Sequence, residues 1–266
     1  PSYDPNKIIK KPNKKYWDSI LQNKLSPLTF RSIQGLYAPG STFKMIVAIA
    51  GLQHGIIDIG TKHFCSSKIS LGDRLYHCWK NNGHGSMNVE SAIKESCDVF
   101  FYEISKKIGI DKIAEVAKDF GLGKTYDLPL SNQKSGIVPS KEWKKENLGE
   151  SWYPGETLIS AIGQGFVLAT PLQLAAMTSI IANDGKIIKP KLTNNENLNK
   201  ITNQLEKYKS SIKIIKQSMF KVVNENKGTA FKSRSNEVTF SGKTGTSQVR
   251  RITVAERESE DFRKKQ

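Results

Sequence analysis

The chain has 266 residues, 37% hydrophobic and 9% aromatic, which suffices for one large domain or two small ones with a sizeable core. Its 41 Lys and Arg against 25 Asp and Glu give a formal net charge of +16, yet the lysines are scattered among Asn and Ser and no zinc-finger or RNP signature accompanies them. That sets aside a nucleic-acid-binding class and favours a solvated basic surface, suited to anionic membrane or cell-wall polymers.

No stretch approaches the ~20 apolar residues of a membrane span, and none reads as a signal peptide. The opening Pro1-Ser2-Tyr3-Asp4-Pro5-Asn6, without an initiator Met, is expected of a piece cut from a longer protein. Residues 1–40 are turn-rich, with Pro5, Pro12, Pro27 and Pro39. A helix is predicted from Ser41 to His54; it is apolar on nearly every side, which marks a buried helix. Residues 58–87 read as irregular. Asn88 or Ser91 can cap a helix running into Glu95, and a second runs from Val99 to Ile108, ended by Gly109. Residues 111–120 form a short amphipathic helix, and 125–160 are loop-rich. Pro171 fits the first turn of a helix reaching Ala182, stopped by Asn183-Asp184-Gly185. The Asn/Lys-rich stretch 191–211 has almost no large apolar groups and predicts an exposed insertion or crossover. A helix from Ile212 to Glu225 precedes Lys227-Gly228-Thr229, and Val238–Lys243 alternates as a strand. Arg250 to Gln266 is a charged tail with no core face.

Three short motifs carry chemistry. In Ser41-Thr42-Phe43-Lys44, positions i and i+3 share a helix face, so Lys44 can reach the Ser41 hydroxyl. A serine becomes a nucleophile when a base takes its proton. Burial disfavours an ammonium and would make Lys44 such a base. Alone the motif is weak, since a capping serine followed by a solvated lysine looks the same. Ser96-Cys97-Asp98 comes second; Ser96 and Asp98 would diverge on a continuous helix and face one site only if the backbone breaks there. Lys243-Thr244-Gly245-Thr246 is the third. Gly245 lets a substrate backbone lie close along the strand, while Lys243 and the two Thr hydroxyls offer donors to a substrate carboxylate. Trp79, Trp143, Trp152 and Tyr153 are read as packing aromatics, and Glu150 and Asp127 as loop or capping carboxylates.

All three cysteines fall in Cys65-x12-Cys78-x5-His84-x12-Cys97. Cys65, Cys78, His84 and Cys97 form a set suited to a tetrahedral structural zinc, although no Cys-x-x-Cys pair strengthens the pattern. His77 is a substitute ligand. The other reading is one disulfide, Cys65–Cys78, with Cys97 as a buried thiol. The odd cysteine count weighs against a fully disulfide-bonded scheme.

A serine–x–x–lysine, a serine–aspartate/asparagine element and a lysine–threonine–glycine, in that order, form the set shared by penicillin-binding proteins and class A β-lactamases. The chain resembles a penicillin-binding protein transpeptidase domain. Gln34-Gly35-Leu36-Tyr37-Ala38-Pro39-Gly40, running into Ser41, is similar to the nucleophile segment of the class B, monofunctional members. So is Gly163-Gln164-Gly165 with Thr170-Pro171-Leu172-Gln173. Pro1-Ser2-Tyr3-Asp4-Pro5-Asn6, Gly83-His84-Gly85 and Ser96-Cys97-Asp98-Val99-Phe100-Phe101-Tyr102 narrow the resemblance to the elongation-specific penicillin-binding protein 2 subgroup.

The resemblance implies an α/β (α+β) fold of the serine β-lactamase/transpeptidase type, a mixed sheet flanked by helices beside an all-helical lobe. The transpeptidase domain would occupy 1–250, with 251–266 a partial or disordered tail. Strands belonging before Pro1 and after the Lys243 segment are not recognisable, so the sheet should be incomplete. It further implies a peptidoglycan D,D-transpeptidase acting through a serine acyl-enzyme, with no cofactor for catalysis. Ser41 would be the nucleophile and Lys44 its base. Ser96 would return a proton to the leaving D-alanine, Asp98 would position Lys44, and Lys243, Thr244 and Thr246 would bind the carboxylate along Gly245. The N–H groups of Ser41 and Thr246 would hold the oxyanion. Implied partners are peptidoglycan stem peptides, β-lactams, a membrane-embedded glycan polymerase and elongation-complex proteins. The implied place is the periplasmic face of the inner membrane, reached through an N-terminal anchor outside this sequence. A serine β-lactamase and a β-lactam sensor or scaffold module are the alternatives; fast drug turnover would mark the first, and induced resistance instead of cell shape the second.

Overall fold

Three short helices, α1 (Asn6–Ile9), α2 (Lys14–Leu21) and α3 (Arg31–Gln34), lead to a 3-10 turn over Gly40–Phe43 and then α4 (Lys44–Gln53). The structure is a computed structural model that describes residues 2–9, 13–193 and 205–247. Every α4 residue from Lys44 to Gly51 is buried, as the apolar run requires. Ile46, Val47 and Ile49 are fully enclosed, each burial contributing about 1.5–3 kcal/mol before entropy is counted. The expected helix from Ser41 is therefore two elements, a tight 3-10 turn at the serine and an α-helix that begins at the lysine.

Residues 58–87 are more regular than their sequence suggests. They contain β1 (His63–Cys65), β2 (Lys68–Leu71), β3 (Arg74–His77) and β4 (Gly85–Met87). β1 pairs antiparallel with β4 and β2 with β3, so one hairpin nests inside the other. Strands of three or four residues are too short to display an alternation that can be read from sequence. Helices α5 (Val89–Lys94) and α6 (Asp98–Ile108) follow, α5 opened by a capping box between Asn88 and Ser91. Next come α7 (Ile110–Asp119), α8 (Lys141–Leu148), α9 (Pro154–Ala161), α10 (Pro171–Ala182) and α11 (Lys209–Asn224). The supposedly loop-rich 125–160 thus holds two helices, α8 capped by Ser140 and α9 started by Pro154. Helices α6, α7 and α11 pack around α4.

Two further expectations are corrected. Residues 191–211 are not all exposed insertion: Tyr208 is fully buried, packs on Phe120 and donates to Asp119 Oδ2 at 2.7 Å. Residues 194–204 of that stretch lie outside the described residues, as do 248–266, which include the expected tail. Val238–Lys243 forms no strand. Alternation alone does not make one; a neighbour must complete the ladder, and among the described residues none does. Instead α11 holds the segment, through Gly242 N to Met219 O at 3.1 Å and Asn224 Nδ2 to Phe240 O at 2.9 Å. Val238 and Phe240 stay exposed, and in place of the expected mixed sheet the described residues hold two antiparallel strand pairs.

Candidate active site

The three motifs converge at the N-terminal end of α4. Ser41 is half-buried in the 3-10 turn, which Thr42 closes by donating from Oγ1 to Pro39 O at 2.8 Å. Residues i and i+3 of a 3-10 turn eclipse, so Ser41 and Lys44 lie on one side. Lys44 is fully buried, and its Nζ donates to Ser96 O at 2.9 Å, Ser96 Oγ at 3.2 Å and Asp98 Oδ1 at 2.6 Å. An ammonium has three donors, and the second motif takes all three. The expected hydrogen bond from Lys44 to the Ser41 hydroxyl is absent among the described residues; Lys44 Nζ lies instead 2.6 Å from Asp98 Oδ1. Burial pushes Asp98 up from the usual carboxylate range, against the pull of Lys44.

Ser96 occupies the break between α5 and α6 with a positive φ of 54°, so Ser96 and Asp98 reach the same lysine. Lys243 Nζ donates to Ser96 Oγ at 2.9 Å and to Thr244 O at 3.0 Å. Burial, and then the charge of Lys44, hold Lys243 well below the ordinary lysine range. The Thr244 hydroxyl pairs with that of Thr229 at 2.7 Å. Gly245 lies against Thr42 and Pro39, where a Cβ would come within 2.9 Å of Thr42 Cγ2. Thr246 packs on Gly40, and Gln164 Nε2 donates to its carbonyl at 3.0 Å.

Gln164, Thr229 and Trp79 also join the site. Gly163-Gln164-Gly165 and Lys227-Gly228-Thr229 are visible as sequence features, whereas nothing local to Trp79 marks it as more than a packing aromatic. Its backbone N–H donates to Asp98 Oδ2 at 2.9 Å, and its indole N–H lies 3.1 Å from both Glu95 O and Ser96 O. Trp143 and Trp152 pack on Phe166, and Tyr153 on the buried Lys144, which bonds Glu156 at 2.6 Å and Glu150 at 3.2 Å. Asp127 pairs with exposed Lys189.

The nested hairpins bring the cysteines together. Cys65 ends β1, Cys78 follows β3, His84 precedes β4 and Cys97 caps α6. Their ligand atoms all lie within 4.8 Å of one another, and the three thiols are free and buried. His84 Nδ1 is 3.4 Å from Cys78 Sγ and 3.6 Å from Cys65 Sγ; His77 is not in the cluster. Hydrogen bonding from Cys97, the largest influence, and from His84 holds Cys78 low, while burial pushes Cys65 up and the Cys78 contact pushes Cys97 up. Three sulfurs and one ring nitrogen at this spacing fit a tetrahedral zinc. One departure is that His84 Nε2 is buried without a hydrogen-bond partner among the described residues, where an outer partner is usual.

Residues 1–259 match the family profile of the penicillin binding protein transpeptidase domain. The chain is 35% identical over 262 residues to peptidoglycan D,D-transpeptidase MrdA of Salmonella typhimurium, covering 94% of this chain and 42% of that protein. It thus spans well under half the length of this curated relative. Among solved structures, it is similar to penicillin-binding protein PBP2 from Helicobacter pylori, with a TM-score of 0.86 and 35% identity over 93% of this chain and 47% of that one. Pseudomonas aeruginosa PBP2 in complex with WCK 5153 aligns with a TM-score of 0.83 and 35% identity, over 94% of this chain and 59% of that one. No helix among the described residues is long and apolar enough to cross a membrane.

Proposed function

We propose, because the chain belongs to the penicillin-binding protein transpeptidase domain family, that it is the catalytic part of a peptidoglycan D,D-transpeptidase serving cell elongation. The observation that carries this reading is the single network of Lys44, Ser96, Asp98 and Lys243 beside the Ser41 turn. In the proposed reaction Ser41 Oγ attacks the carbonyl between the two terminal D-alanines of a stem peptide. The Oγ–C bond forms, the C–N bond breaks, and the hydroxyl proton travels through Lys44 and Ser96 to the departing D-alanine nitrogen. For Lys44 to accept it, its ion pair with Asp98 must give up a proton or rearrange as substrate enters. An amine from a second stem then attacks the acyl carbonyl: its N–C bond forms, the Oγ–C bond breaks, and the amine proton returns to Ser41 Oγ. Lys243 and the Thr244 and Thr246 hydroxyls hold the terminal carboxylate. The N–H groups of Ser41 and Thr246 face the oxyanion, a placement supported by the close packing of Gly40 on Thr246. One such donor is worth about 3 kcal/mol of barrier.

A β-lactam would occupy the same path and stall as the acyl-enzyme. Intact mass after incubation with benzylpenicillin tests this: an adduct on the protein and none on Ser41→Ala is expected, and labelling of Ser41→Ala overturns it. Slow release of the adduct separates this reading from a β-lactamase.

A structural zinc held by Cys65, Cys78, His84 and Cys97 belongs to the same proposal, supported by the closeness of four suitable donors. It would pin the nested hairpins to the Ser96 loop and supply no chemistry to the reaction. The proposed setting is the periplasmic face of the inner membrane, with the anchor on another part of the protein. The proposed partners are a glycan polymerase and elongation proteins. Related PBP2 from Helicobacter pylori is in a complex with MreC, and another neighbour belongs to a peptidoglycan synthase complex coordinating polymerization and crosslinking.

A further inference from the structure

Gln164, half-buried in the turn after α9, makes the one hydrogen bond to the Thr246 main chain among the described residues, Nε2 to O at 3.0 Å. Its neighbour Gly163 accepts from Gly40 N at 2.9 Å. Gly163 has a φ of 71° and sits so close to Gly40 that a Cβ would strike the Gly40 carbonyl. Gly40, with a φ of 57°, meets the Thr246 carbonyl in the same way. Three backbone segments remote in sequence are therefore stacked in contact, 163–164 on 40–41 and 40–41 on 245–246.

The outer layers of this stack differ in how they are fixed. The serine side is tied by Gly40 N–H and by the paired bonds between Tyr37 and Ala169, at 3.0 and 2.9 Å. Gln164 itself is anchored through its own N–H to Ile159 O in α9 at 3.2 Å. Thr246 lies on the segment that has no strand partner among the described residues, and the Gln164 amide is its tether. We propose that Gln164 is a positioning residue for acyl transfer: it sets Thr246 against Ser41 so that their two N–H groups converge on one oxyanion. The inference rests on the transpeptidase reading above. Gln164 touches no reacting atom; it acts through Thr246. An oxyanion donor works only within a few tenths of an ångström of its place, and a small misplacement far from the chemistry is costly. Its loss should therefore fall on the acylation step and not on initial binding, which uses Lys243 and the threonine hydroxyls.

The test follows benzylpenicillin acylation by intact mass, over time and drug concentration, for the protein, Gln164→Ala and Gln164→Lys, beside thermal unfolding of each. Gln164→Ala is expected to lower the first-order acylation constant about ten- to a hundredfold, less than or equal to the loss of a whole oxyanion donor. The dissociation constant of the initial complex and the melting temperature should stay near those of the protein. Gln164→Lys, which restores a donor of similar reach, should recover most of the rate. A Gln164→Ala acylation constant matching the protein's overturns the inference alone, as does a loss shared by binding and thermal stability or not recovered by Gln164→Lys. Absence of acylation in the unmodified protein overturns the transpeptidase reading, and this inference falls with it.

Discussion

Lys243 Nζ donates to Ser96 Oγ at 2.9 Å, the same oxygen that accepts from Lys44 Nζ at 3.2 Å. Burial, and then the repulsion of a second cation on the same hydroxyl, hold Lys243 well below the ordinary lysine range. The unfolded chain keeps that proton up to about pH 10.4. Between the lowered folded value and the unfolded one, the unfolded chain binds more protons, so stability rises with pH across that interval. Below the folded value the cost is present in full. Urea unfolding of the protein from about pH 7 to 10 should show this rise, and Lys243→Met should lack it. Parallel curves for the two proteins would contradict the assignment.

The buried Lys44–Asp98 pair makes a different prediction. Asp98→Ala leaves Lys44 charged and buried without its carboxylate, which costs about 3–5 kcal/mol in such pairs. Replacing both at once, Lys44→Met with Asp98→Leu, removes the two desolvated charges together and should recover much of that loss while abolishing acylation. Urea midpoints check both variants. A double variant no more stable than Asp98→Ala would show that packing, not charge, dominates this corner.

For the cysteine cluster, native mass spectrometry should find one zinc on the protein and none on the Cys65→Ser, His84→Ala double variant. Chelation should lower the melting temperature, since binding energy at such a site is folding energy. Protein purified without chelator that carries no metal would overturn the zinc proposal.

Gly40 and Gly55 allow backbone strain to be separated from contact. Both have positive φ, 57° and 63°, but a Cβ on Gly55 meets nothing within 4 Å, whereas one on Gly40 strikes the Thr246 carbonyl. Gly55→Ala should cost about 1 kcal/mol and leave acylation alone. Gly40→Ala should add a steric penalty of about 1–3 kcal/mol and slow acylation by parting Ser41 from Thr246. Equal effects in the two variants would argue against that contact.

Much of the site was legible because its chemistry is written in short runs. Ser41 to Lys44, Ser96 to Asp98 and Lys243 to Thr246 each place their groups through local spacing, and α10 begins at Pro171 as its first-turn proline demands. What stayed hidden depends on partners far along the chain. Spacing points Lys44 toward Ser41, but the direction of its Nζ is decided by Asp98, which no local rule supplies. Tyr208 sits in an Asn/Lys-rich stretch whose composition signals exposure, yet Phe120 and Asp119 provide it with a buried place. Val238–Lys243 carries the right alternation and forms no strand, because a strand belongs to its neighbours as much as to its sequence. The hairpins of 63–87 are hidden for a simpler reason: strands of three or four residues hold too little pattern.

Trp79 stands edge-on to His84, with ring centroids 5.3 Å apart, while its indole N–H points at the Ser96 carbonyl that Lys44 also holds. An indole's emission responds to the polarity and quenching groups around it, so the chain carries an intrinsic optical probe wedged between the thiol cluster and the lysine. With Trp17, Trp143 and Trp152 replaced by Phe, the remaining fluorescence would report filling of the cluster and modification of the serine through the same ring.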